Sequence, residues 1–141
     1  MLSSTFARTM AVGLLCSVSA GPLAAACSGI SDPPARAGLE RVKTLISEGR
    51  FEAAFERFEI SDEAKKRLAE GLEAVLPEST MSCVTIKRSR QNPGFVSEVF
   101  KTESDSAILY WTISGEVDGL NFRMINFTYT DEFEDIRELI Y

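Results

Sequence analysis

The sequence predicts an α+β domain with N-terminal helices packed on an antiparallel meander sheet. Three observations carry that expectation. Apolar residues recur at helical spacing from Leu39 to Leu76. From Met81 the pattern changes to period two, the signature of strands with one buried face. Within that half, Asp118-Gly119 separates two alternating runs, "AILYWTISGEV" and "LNFRMINFTYT", as a two-residue hairpin turn would. Helices followed by a run of strands is an α+β plan.

Residues 1–26 read as a signal peptide. Arg8 is the one charge before an 11-residue uncharged run at 10–20, "MAVGLLCSVSA". Gly21 and Pro22 break the run, and Ala24-Ala25-Ala26 offer a small-residue cut site. A helix needs about 20 apolar residues to span a bilayer, so this run is too short. The expected location is therefore export, to the periplasm or cell envelope.

Cleavage after Ala26 would leave Cys27 first. This resembles a bacterial lipoprotein signal, although Leu23 stands four positions before Cys27 instead of three. A lipid on Cys27 would be the one route to a membrane. A disulfide between Cys27 and Cys83 is the competing use, since cuts after Ala20 or Ala26 leave those two cysteines alone in the remaining chain. Free thiols are the third reading. The anchor is the expectation, because residues 27–38, "CSGISDPPARAG", have the composition of a flexible spacer. Residues 39–141 then form one domain.

All 21 acidic residues, and every one of the 15 basic residues except Arg8, lie in 27–141, a net charge of −7. That balance argues against nucleic acid as a partner. The basic cluster Lys87–Arg90, "KRSR", reads as a solvated strand end.

Each element follows from local pattern. Leu39, Val42, Leu45 and Ile46 make a first helix stopped by Gly49. Phe51, Ala54, Phe55 and Phe58 predict a second. Ser61 caps a third, with Asp62 and Glu63 in its first turn, an apolar stripe of Ala64, Leu68, Leu72, Val75 and Leu76, and Pro77 as its stop. "MSCVTIKRSR" and "FVSEVFKT" are strands about the turn "QNPG". The Asp118-Gly119 turn pairs Val117 with Leu120 and Ile113 with Met124. This puts Leu109, Trp111, Ile113, Val117, Leu120, Phe122 and Met124 on the core face. The opposite face carries Ile108, Tyr110, Phe127 and Tyr129, a patch expected to form a homodimer if the tail leaves it bare. The tail, "DEFEDIRELIY", is expected to add a last strand.

"LISEGRFEAAFERF" and "FTYTDEFEDIRELIY" together resemble the opening and the last hairpin of small secreted members of the nuclear transport factor two-like superfamily, which includes the SnoaL-like proteins and ketosteroid isomerases. The resemblance implies a curved, cystatin-like cone. It also implies a pocket between helices and sheet into which Trp111, Phe122, Met124 and Asn126 project.

The chain has no histidine, which removes Ser-His-Asp and Cys-His catalysis and the usual zinc sites. No metal and no cofactor are expected. The acidic cluster Asp131, Glu132, Glu134 and Asp135 lacks a calcium-loop pattern and reads as a solvated turn. No carboxylate is expected on the core face, and no catalytic residue is assigned. The expectation is a non-catalytic domain that binds a small apolar ligand or a protein partner. The alternative is a carboxylate-dependent isomerase or dehydratase using the same pocket.

Overall fold

The computed structural model describes residues 27–76 and 81–141. The expected signal peptide at 1–26 and the expected helix stop at Pro77 lie outside them. The described residues form β1 (Ser28–Gly29), α1 (Ala37–Ser47), α2 (Phe51–Ala54), α3 (Asp62–Val75), β2 (Ser82–Asn92), β3 (Phe95–Glu103), β4 (Ile108–Asp118), β5 (Asn121–Thr130) and α4 (Phe133–Ile140). The strands make one mixed sheet in the order β1-β2-β3-β4-β5. β1 runs parallel to β2, and β2 to β5 form an antiparallel meander.

The first helices follow their sequence signals. Gly49 takes φ 70°, a conformation that costs a glycine little, so the chain can leave α1 in a Schellman turn: Gly49 N donates to Ile46 O and Arg50 N to Leu45 O. Ser61 caps α3 by accepting from Ala64 N at 3.2 Å. The second helix is a single turn rather than the longer one expected. After Ala54 the chain turns, and Phe58 bridges Met124 of β5, with Glu59 N donating to Met124 O. That strand-like contact outweighs helical propensity. The phenylalanines still enter the core: Phe51 and Phe55 are fully buried, and Phe58 packs beside them. Val75, expected on the apolar stripe of α3, is exposed, and Ala69 is buried in that helix instead.

The core lies between these helices and one face of the sheet. It gathers Leu39, Ile46, Phe55, Leu72, Phe100, Trp111 and Ile113, all fully buried. Trp111 stacks with Phe100 and donates Nε1–H to Thr102 Oγ1 at 2.7 Å. A buried indole N–H needs such a partner.

The β4–β5 register departs from the expected one. Val117 pairs with Phe122 and Asp118 with Asn121, so Gly119 and Leu120 form the turn. Leu120 is consequently 80% exposed, not core. Further along, Gly115 pairs with Met124 but Ser114 with Asn126, a bulge that inserts Ile125 into β5. Gly115 permits it: a Cβ there would sit 2.1 Å from Arg123 O. The bulge shifts parity, so Ile113 pairs with Phe127 and Trp111 with Tyr129. Phe127 and Tyr129 therefore share the core side, within 5.7 and 5.5 Å of the Trp111 ring. Ile108 and Tyr110 keep to the opposite side. The four residues expected to form one dimer patch are thus divided between two faces.

The tail is a helix, not a strand. α4 lies across the outer face: Phe133 meets Tyr110 edge-on at 5.7 Å, and Lys87 donates to the carbonyls of Leu139 and Ile140. Ile136 of α4 and Val99 of β3 are both buried, apart from the main cluster. "EDIREL" allows both periods, and the apolar outer surface of β3 and β4 rewards the helical one. Among the described residues no helix is long and apolar enough to cross a membrane.

Candidate functional site

Two constellations stand out. One is a buried charge cluster, the other an open cleft.

The cluster begins with parity. Glu98 alternates with Val96 and Phe100 on β3, so it faces inward with them and is fully buried. This corrects the expectation that no carboxylate reaches the core side. Lys43, fully buried on α1, donates to Glu98 Oε2 at 2.6 Å and to Thr85 Oγ1 at 2.8 Å, and pairs with Glu40 at 2.6 Å. Arg88 on β2 holds the other Glu98 oxygen through Nε and Glu40 through Nη2. Arg88 is 7% exposed, so the "KRSR" run is not solvated throughout: Arg90 is exposed and Arg88 is buried. Two cations and two carboxylates balance in charge, which is the condition for burying any of them. Glu40 Oε2 is the one oxygen of the cluster without a partner.

Arg88 also donates Nη1–H to the carbonyls of Pro33, at 2.6 Å, and Ile30. Arg90 donates to Pro34 O. Residues 27–38 are therefore not a free spacer. They form a strap held by these arginines, by β1 pairing with Val84 and Thr85, and by a Cys27–Cys83 disulfide. In this structure Cys27 is in the disulfide, the competing use of that sulfur; a sulfur bonded to Cys83 is not free to carry a thioether-linked lipid.

The cleft lies where the β2–β3 turn, the β4–β5 hairpin and the segment after α2 converge. Its volume is about 740 Å³. Phe58, Phe95, Val117 and Phe122 supply its apolar lining. Val117 N–H bonds Gly94 O at 2.7 Å, tying the two turns together. The rim is charged. Arg123 bonds Glu116 and Glu59, and these contacts, first the hydrogen bond to Glu116 and that carboxylate's charge, raise its pKa above the usual guanidinium value. Arg57 donates to Asn121 Oδ1 at 2.7 Å. Beyond this bridge a second, more polar groove of about 640 Å³ runs along α1 past Arg41 and Arg50, sharing Arg57, Asn121 and Phe122 with the first.

The expected pocket residues do not come together. Trp111 and Met124 are packed in the core and line neither cleft. Asn126 is exposed, turned out by the bulge, and so is not the odd polar group of a pocket. Phe122 alone reaches a cleft. Phe58, Phe95 and Arg123 were the residues the sequence reading missed. Arg123 beside an exposed turn carried no signal, whereas Phe95, directly after "QNPG", was legible as an aromatic at a turn.

The arrangement can hold an apolar group against an aromatic floor. It presents no nucleophile with an adjacent base. Both oxygens of Glu98 are occupied and it lines neither cleft. Among the described residues no group of side chains is placed to hold a metal ion. Comparison with protein-family models, curated proteins and solved structures finds no match.

Proposed function

We propose that this chain is an exported, non-catalytic binding domain that takes an apolar group of a small ligand in the cleft between its hairpin tips. The observation that carries this reading is the floor of Phe58, Phe95, Val117 and Phe122, open to solvent inside a charged rim. Ligand sites combine such apolar lining with a few convergent polar groups. Export is supported by the signal-like pattern of residues 1–26 and by a disulfide, which persists in oxidising compartments. The absence of a catalytic role is supported by Glu98, whose ion pairs leave it no free oxygen to act as a base.

The nuclear transport factor two-like resemblance, with its cone-shaped sheet, belongs to the same proposal. Helices followed by a four-stranded meander speak for it; a terminal helix in place of a last strand speaks against it.

Titration with anilinonaphthalene sulfonate tests the cleft. Saturable binding at one site is expected. Val117→Asp, which places a charge on the floor, should weaken it by at least about tenfold, the effect of roughly 1.4 kcal/mol. No binding, or binding that Val117→Asp leaves unchanged with the fold intact, would contradict the proposal.

A further inference from the structure

β5 is an edge strand, and most of its outer edge is bare. The chain segment after α2 covers it only at Met124. From Asn126 to Thr130 no other described segment bonds to its backbone from outside the sheet. Natural edge strands are usually protected by lysines, prolines or burial. This one reads "NFTYT", without charge or proline, in a domain whose net charge is −7 over 27–141. At the opposite edge β2 carries Lys87, Arg88 and Arg90 and is partly covered by β1.

We propose that β5 pairs antiparallel with β5 of a second copy of this chain, about a two-fold axis at Thr128. The segment is self-complementary in that register. Thr128 faces Thr128 of the second copy, Phe127 faces Tyr129, and Asn126 faces Thr130. Opposed residues in an antiparallel pair share a face. Phe127 and Tyr129 both lie on the core side, so two aromatic pairs form there. The threonines and asparagine meet on the outer side, where Thr128 and Asn126 are exposed. Tyr129, now 40% exposed, gains cover. No like charges oppose one another, which suits a second copy of a strongly acidic chain better than a charged partner strand. This pairing replaces the sheet-face dimer expected from sequence and does not involve the cleft, so either proposal can fail without the other.

Thr128 is the probe. Its Cα atoms would lie about 4.5–5.5 Å apart across the axis, within disulfide range. Thr128→Cys should cross-link to a covalent dimer on mild oxidation, whereas wild type and Ile108→Cys, exposed on the same face but on the interior strand β4, should not. Sedimentation should show a wild-type dimer at micromolar concentration. Thr128→Lys, which sets two ammonium groups face to face, should give a folded monomer whose melting temperature no longer depends on protein concentration. A wild-type monomer, a dimer untouched by Thr128→Lys, or equal cross-linking through Ile108→Cys would each overturn the proposal.

Discussion

Glu98 shows how a residue can be legible in pattern and misread in chemistry. Val96, Glu98, Phe100 and Thr102 alternate in the sequence, so period two alone places all four on one face. A glutamate suggests solvent, and that prior outweighs parity until its partners are known. Lys43 lies 55 positions earlier, and nothing local links the two. Arg88 was hidden in the same way inside a basic run. Removing one member of a buried ion-pair cluster typically costs about 3–5 kcal/mol, because the remaining charges lose their balance. Glu98→Gln should therefore destabilise the fold by that amount in urea melts. Lys43→Met combined with Glu98→Gln should recover part of the loss, since the double change restores neutrality around Arg88 and Glu40. Additive losses would mean that the cluster does not act as a unit.

The strap and the tail mark the limits of composition as a guide to elements. "CSGISDPPARAG" has the residues of a linker, yet it brings the carbonyls of Ile30, Pro33 and Pro34 and the sulfur of Cys27 to partners on β2. Those partners are more than 50 residues away, beyond any local signal. The α3 cap, the Gly49 stop and the existence of strands β2 to β5 rest on adjacent residues, and they were readable. The β4–β5 register was readable only to within the bulge at Gly115, a small residue whose role depends on a backbone across the sheet. A disulfide across 56 residues is worth about 4 kcal/mol in the chain-entropy model. Cys27→Ser and Cys83→Ser should lower the melting temperature equally, and reductant should do the same to wild type. A loss from Cys83→Ser alone would return Cys27 to the role of an unpaired anchor.

At the scale of the molecule, the strap, the buried charges and the core fix one face of the sheet, and α4 closes the other. The sheet's ends are left to present loops. The cleft sits at one such end, built from two turns and the segment after α2, away from the core pocket that the sequence suggested. That displacement has a physical cause. Phe51, Phe55, Phe100 and Trp111 fill the space between helices and sheet, and Trp111 meets Phe51, Phe100 and Phe127 within 6.5 Å. An interior so filled leaves no room for a ligand without a cost in packing. The most direct test is a map of amide chemical shifts on titration with anilinonaphthalene sulfonate. The account predicts shifts concentrated at Phe58, Glu59, Phe95, Val117 and Phe122, with Trp111 and its indole N–H unmoved. Shifts centred on Trp111, Phe100 and Met124 would place the ligand inside the core and contradict it.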